Sequence, residues 1–235
     1  MKITGLQKMT LLDYPGRIAC TVFLQGCNFR CPFCHNSGIL SMDGEEFMTE
    51  DELMAFLQKR VGLLDGVCLT GGEPTLYKGM PDLIRRIKAL GFAVKLDTNG
   101  SRPEVLKSLV EEGLIDYCAV DVKNAPDRYC QTAGMSADLL QRVEESLKFL
   151  LEGSLDYEFR TTVVAEFHDE AAFCAMGTWL KTLSDHKAKR FFLQCFVARE
   201  SVLKCGLTAP TAENMENYRR ILANYAQSVE IRGMD

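Results

Sequence analysis

The sequence predicts an α/β fold, an open partial (β/α)6 barrel, on three observations. Apolar, β-rich runs alternate with helix-like segments six times in series, which requires a parallel sheet with right-handed crossovers. Six units are too few to close the eight-stranded barrel, and a flat doubly wound sheet is the alternative. The chemistry-bearing residues fall just after the predicted strands, where ligands collect in both architectures. At 235 residues and 47% hydrophobic content the chain can bury one sizeable core. No linker or low-complexity tract interrupts it, so one domain over residues 1–235 is expected.

Residues 18–24, Ile-Ala-Cys-Thr-Val-Phe-Leu, form the first predicted strand, preceded by a loop-like stretch at 8–17. Thr49-Glu50-Asp51-Glu52 is a capping box that opens a helix carrying Leu53, Phe56 and Leu57 toward Arg60. The second strand, 66–70, runs into Gly71-Gly72-Glu73-Pro74, and its helix near 81–90 is closed by Gly91. The third, 93–96, ends in Asp97-Thr98-Asn99-Gly100; its helix starts at Ser101 with Pro103 in the first turn and stops at Gly113. The fourth, 117–120, ends in Asp121-Val122-Lys123, followed by a longer loop and a helix over about 136–152. Residues 157–164 and 191–196 give the fifth and sixth strands, with helices near 170–183 and 211–225 and a terminal edge strand at 229–232.

Composition narrows the function classes. A formal charge of -5 argues against nucleic acid as a partner. No apolar run approaches the roughly 20 residues that span a bilayer. Residues 1–5 lead straight into polar sequence with no secretory signal, so the ten cysteines are expected as reduced thiols in the cytoplasm.

The stretch Gly26-Cys27-Asn28-Phe29-Arg30-Cys31-Pro32-Phe33-Cys34-His35-Asn36 carries the chemistry. Three thiols at C-x3-C-x2-C in one short loop converge on one metal centre, and soft thiolates select iron–sulfur clusters, zinc or Cu(I). Three ligands without a fourth cysteine leave one corner of a cubane open, which suits a catalytic iron. The alternative is a zinc knuckle closed by a histidine, with His35 the nearest candidate.

This run, with an aromatic before its last cysteine, resembles the signature of the radical S-adenosylmethionine (SAM) superfamily. Asp13-Tyr14-Pro15-Gly16, Phe23-Leu24-Gln25-Gly26-Cys27 and Cys34-His35-Asn36 are similar to segments of the activating enzymes of glycyl radical enzymes. The short form is most similar to anaerobic ribonucleoside-triphosphate reductase activating proteins, over residues 5–164. The resemblance implies a partial barrel of the radical SAM type and a 4Fe-4S cluster on Cys27, Cys31 and Cys34. It also implies SAM bound through its amino and carboxylate groups.

A free amino acid end needs an anion for its ammonium. Gly71 and Gly72 allow close backbone approach and Glu73 supplies the carboxylate; a plain glycine turn with a surface glutamate is the alternative. The resemblance puts Asp97, Thr98 and Asp121 near a monovalent cation site and Lys123 near the SAM carboxylate, whereas the residues alone also fit an ordinary salt-bridge network. Asn99 belongs to the SAM side or to the turn before Gly100. Thr161, Thr162 and Gln194, polar positions in apolar strands, are candidates for ribose or adenine contacts. At Gln194-Cys195-Phe196 the pyruvate formate-lyase type activases tend to show proline and histidine, a departure that weighs against that substrate. Asp13 resembles an acidic residue on the peptide entry side, or caps the turn at Pro15-Gly16.

Cys20, Cys68, Cys118 and Cys195 sit in apolar strands as core thiols. Cys130, Cys174 and Cys205 lack cluster spacing, so no second cluster is expected, and His168 and His186 are expected at the surface. Phe29 and Phe33 pack around the cluster, and Arg30 is exposed toward a redox donor or partner.

The activity implied is reductive cleavage of SAM to a 5'-deoxyadenosyl radical, which takes a hydrogen atom from a glycine of a partner glycyl radical enzyme. A flavodoxin- or ferredoxin-type donor supplies the electron, and no side chain serves as catalytic acid or base. The rivals are a radical SAM enzyme acting on a small molecule or another peptide, and a zinc-bound interaction module.

Overall fold

The computed structural model describes residues 2–234; Met1 and Asp235, the ends of the expected domain, lie outside them. The fold is α/β, and its eight strands follow one another in sequence order through one sheet. The chain divides into two compact units: residues 1–28, 38–98 and 104–118 form the first, and 29–37, 99–103 and 119–235 the second. Among the described residues no helix is long and apolar enough to cross a membrane.

In the first unit, β1 (Ile3–Thr10) pairs antiparallel with β2 (Ala19–Leu24). β1 is a correction: it covers part of the stretch expected as loop at 8–17. Gly5, Gln7 and Lys8 are poor strand formers, and two register irregularities interrupt the pairing, so tertiary pairing rather than local propensity makes this strand. Helix α1 (Glu50–Gln58) has the expected capping box, with the Thr49 hydroxyl accepting from Glu52 N and the Glu52 carboxylate accepting from Thr49 N. Strand β3 (Gly66–Gly71) pairs in parallel with β2, and after α2 (Met80–Ala89) strand β4 (Ala93–Thr98) pairs in parallel with β3. Helix α3 (Pro103–Glu111) leads to β5 (Tyr117–Asp121).

The second unit holds α4 (Pro126–Ala133), α5 (Asp138–Glu152) and β6 (Asp156–Val163), then α6 (Glu170–Leu183), β7 (Ala188–Cys195), α7 (Ala212–Leu222) and β8 (Ala226–Arg232). Strands β6, β7 and β8 are parallel. Helix α4 lies where a long loop was expected. Pro126 starts it and Gly134 ends it in the left-handed conformation, the proline-to-glycine asymmetry of an ordinary helix. Strand β8 starts three residues before the expected edge strand and pairs with β7 from Ala188–Ala226 to Gln194–Arg232; the six expected strands and this edge make seven, and β1 is the eighth.

Burial follows the apolar pattern. Phe159, Val163, Phe191 and Leu193 are buried, whereas Arg160, Thr162 and Gln194 point the other way and are half-buried. Cys20, Cys68, Cys118 and Cys195 are core thiols as expected. His186 is exposed, but His168 is buried, against expectation. Its neighbours Glu166, Asp169 and Glu170 gave the polar reading; the turn from Val164 to His168 folds its ring inward instead.

Candidate functional site

In the first unit, the carboxyl ends of β2, β3 and β4 deliver the start of the cysteine run and the two polar loops. Gly26 N and Cys27 N donate to Ile39 O at 2.7 Å and Leu40 O at 3.1 Å, which holds Cys27 in a defined loop. The Gly-Gly-Glu loop is seated on the same segment. Gly72 N donates to Leu24 O at 2.8 Å and Glu73 N to Gly26 O at 2.7 Å. A Cβ on Gly72 would stand 1.9 Å from Gly26 O, and one on Gly71, at φ 118°, 2.2 Å from Leu24 N. Both glycines are therefore required by backbone approach.

Glu73 is fully buried, which removes the surface-glutamate alternative. Its Oε1 accepts from Thr75 N at 3.0 Å, from Thr98 Oγ1 at 2.7 Å and from the Thr75 hydroxyl. Thr98 thus belongs to the Glu73 group. Asp97 is paired with buried Lys95, Nζ to Oδ1 2.6 Å, and the Lys95 ammonium lies 5.9 Å from the centre of the Tyr117 ring. Asp13 accepts from the Thr21 hydroxyl at 2.6 Å, and its own N–H donates to Thr10 Oγ1 at 3.3 Å.

In the second unit, Cys31 and Cys34 form one turn, Cys34 N donating to Cys31 O at 3.0 Å. The carboxyl end of α4 holds this turn: Arg30 N donates to Ala133 O and Gly134 O at 3.1 Å, and Cys31 Sγ lies 3.4 Å from Ala133 O. A Cβ on Gly134 would meet Arg30 O at 2.2 Å. Sequence reasoning missed this support, and Pro126 followed eight residues later by Gly134 was the available signal. Phe29 and Phe33 are buried and Arg30 is exposed, as expected. His35 stacks on Phe196 with centroids 5.5 Å apart, and its Nε2 lies 2.8 Å from Val197 O.

Asp121 bridges two cations, Lys123 Nζ at 2.9 Å and Arg160 Nε at 3.0 Å. Burial alone would raise the Asp121 pKa, but Lys123 and Arg160 reverse it and hold the carboxyl well below its usual range. Burial likewise opposes the Lys123 charge, and Asp121 outweighs it, so the ammonium is held above its ordinary range. Burial pushes the Cys31 and Cys34 thiols up, opposed by Lys123 at both. Arg160 was not foreseen; the signal was an arginine inside an apolar strand. Asn99 Oδ1 accepts from Ser101 N at 2.9 Å, the turn role weighed above. Thr162 and Gln194 are register partners on β6 and β7, whereas Thr161 is buried and donates to Val122 O at 2.7 Å.

The ten cysteines are all thiols. Among the described residues no three His, Cys, Asp or Glu side chains gather closely enough to chelate one ion. Thiolates that each take a different iron of a cluster need no such closeness. Three soft donors from one short run suit an iron–sulfur cluster, and within the first unit the glycine-only approach at residue 72 and the buried carboxylate of Glu73 suit a cationic amino acid ligand.

The Radical SAM superfamily model matches residues 21–171. An inferred glycyl-radical enzyme activating enzyme of Methanocaldococcus jannaschii is 34% identical over 72% of this chain and 70% of its own length. An inferred GTP 3',8-cyclase of Thermococcus kodakarensis is 34% identical over 54% of this chain, which spans only 42% of that relative. The solved structure of a domain of pyruvate-formate lyase-activating enzyme from Bacteroides vulgatus shares the fold at 18% identity, covering 72% of this chain and 99% of that one with a TM-score of 0.59. With the cysteine run and both polar loops inside the matched segment, the chain belongs to the radical SAM superfamily and is a radical SAM enzyme.

Proposed function

We propose that the chain activates a glycyl radical enzyme of the anaerobic ribonucleoside-triphosphate reductase type by withdrawing a hydrogen atom from the Cα of one glycine in that partner. The observation that carries this is the seat of Glu73 on Gly26, one residue before Cys27, in a chain that resembles an inferred activating enzyme over most of its length. A 4Fe-4S cluster and SAM, when bound, supply the one-electron reduction and the hydrogen-atom abstraction.

The chain's own residues hold and orient. Cys27, Cys31 and Cys34 hold the cluster, and the whole of 1–235 serves as one catalytic body. Glu73, with Gly71 and Gly72 clearing the approach, receives the ammonium of SAM, and Lys123, kept charged by Asp121, receives its carboxylate. Asp97, Asp121 and Thr98 attend a monovalent cation. Asn99 lines the SAM side, and Thr162 and Gln194 contact ribose or adenine from adjacent strands. Phe29 and Phe33, both buried, exclude water from the cluster side of the run. Asp13 faces the incoming peptide. A flavodoxin- or ferredoxin-type protein of the cytoplasm delivers the electron.

The test is anaerobic reconstitution, dithionite reduction and measurement of 5'-deoxyadenosine, with iron and zinc counted on the same sample. About four irons per chain and product formation are expected. Mixing with an anaerobic ribonucleotide reductase should then give a glycine-centred EPR doublet. Product without a doublet favours the second reading, a small-molecule radical SAM enzyme, for which the likeness to an inferred GTP 3',8-cyclase speaks. One zinc, no iron and no product would overturn both.

A further inference from the structure

We propose that His168 is a positioning residue that fixes the main chain of Lys123 and ties it to Phe33 of the cysteine run. It rests on the reading of Lys123 as the partner of the SAM carboxylate.

Lys123 stands where the chain leaves the sheet. Val122, the first residue after β5, still bonds to β6, its N–H donating to Arg160 O at 2.8 Å and its carbonyl accepting from the Thr161 hydroxyl at 2.7 Å. One residue further the Lys123 carbonyl is met by His168 Nε2 at 2.9 Å. A carbonyl accepts only, so Nε2 carries the proton. The other ring nitrogen agrees: the Val164 N–H is an obligate donor and reaches Nδ1 at 3.1 Å. Nδ1 also lies 3.2 Å from Val164 O, a carbonyl that already accepts from Phe167 N and His168 N, so the Nε2–H tautomer is the one that serves both Lys123 O and Val164 N. Burial pushes the ring's pKa below its ordinary value, which favours the neutral form, and the hydrogen bonds of the two nitrogens select the tautomer.

The ring is held by the chain's own contacts. Phe167 N and His168 N both donate to Val164 O, closing the turn that aims the imidazole inward, and the Tyr218 hydroxyl bonds to His168 O at 3.3 Å. Phe173 packs against the ring at 5.8 Å between centroids, and Phe33 meets it edge-on at 6.5 Å. Phe33 lies between Cys31 and Cys34. One imidazole therefore touches the side chain inside the cysteine turn and the main chain of the strand-end lysine. Its hydrogen bond aims the Lys123 ammonium by restraining the backbone that carries it.

Two measurements test this. Hydrogen exchange on the metal-free protein reads the hold on residues 122–126 without any cofactor. SAM binding to the cluster-loaded protein reads the consequence. His168→Leu removes the donor, and His168→Gln restores one at the Nε2 position. Should His168→Leu not fold, His168→Asn takes its place, because its amide stays on the Val164 side and falls short of Lys123 O. The donor-less variant is expected to exchange faster at 122–126 and to bind SAM about tenfold more weakly, with His168→Gln within about twofold of the parent. Combined with Lys123→Ala it should weaken binding no further than Lys123→Ala alone. Unchanged exchange, equal losses in the Leu and Gln variants, or additive losses overturn the proposal. If Lys123→Ala leaves SAM binding intact, the reading of Lys123 fails, and the exchange result still decides whether His168 holds that main chain.

Discussion

Replacing Gly72 by alanine adds one methyl group where the structure has a carbonyl oxygen. The new Cβ would stand 1.9 Å from Gly26 O and 2.5 Å from Gly26 C, both backbone atoms that cannot rotate away. The Gly72 φ lies outside the left-handed region, so the effect is steric and not conformational. Relief requires the two loops to part by about 1 Å, an overpacking strain of about 1–3 kcal/mol. The same movement stretches the Glu73 N to Gly26 O hydrogen bond of 2.7 Å, adding about 1 kcal/mol. A total of about 2–4 kcal/mol corresponds to a fall in Tm of about 4–16 °C for a chain of this size. Thermal unfolding of the metal-free variant reads the strain, and iron content after reconstitution reads the displacement of Cys27. Gly38→Ala is the control, because nothing lies within 4 Å of its Cβ position. A Gly72→Ala protein with parental Tm and full iron would falsify the close-approach argument.

Three further outcomes are expected. Cys27→Ala, Cys31→Ala and Cys34→Ala should each abolish SAM cleavage, while Cys68→Ala, a core thiol, should keep it; equal loss in all four variants would contradict the ligand assignment. Glu73→Gln retains an acceptor for Thr75 and Thr98 but loses the charge, so the fold should persist while SAM affinity, read by equilibrium dialysis, falls about tenfold or more. The Asp121 carboxyl is depressed in the fold, so its contribution to stability is complete above the ordinary aspartate value near ~3.9 and is lost as pH falls through the folded value. Lys123 is the opposite case: its contribution is present below the ordinary lysine value and is lost only as pH rises through the raised one. Urea unfolding should therefore show no pH dependence from this pair between about pH 5 and 9, and Asp121→Asn should have a shallower acid limb than the parent. An unaltered acid limb in Asp121→Asn would rule that out.

Much of the site was legible because its signals are local. The C-x3-C-x2-C spacing names soft donors without reference to anything distant, and the capping box at Thr49 and Glu52 needs only four consecutive residues. Strand ends were legible too, since β-rich runs stop where Gly71, Thr98 and Asp121 begin polar loops. The parallel order follows from the alternation of these runs with helices.

What only the tertiary structure decided depends on partners far along the chain. Strand β1 exists because β2 pairs with it, despite weak strand formers in its own sequence. Whether Glu73 lay at the surface or in the interior could not be read from a Gly-Gly-Glu turn; its burial follows from the seat on Gly26 and the hydroxyls of Thr75 and Thr98. Asp121 and Lys123 share a short segment, but Arg160, the second cation on that carboxylate, comes from another strand. His168 looked like a solvated residue among polar neighbours, and its ring instead spans Val164 and Lys123. The sequence by itself determined which atoms are present and which runs form strands and helices, because spacing and propensity act within a few residues. Burial, tautomer and charge balance were settled by packing, because each is a property of what folding brings alongside.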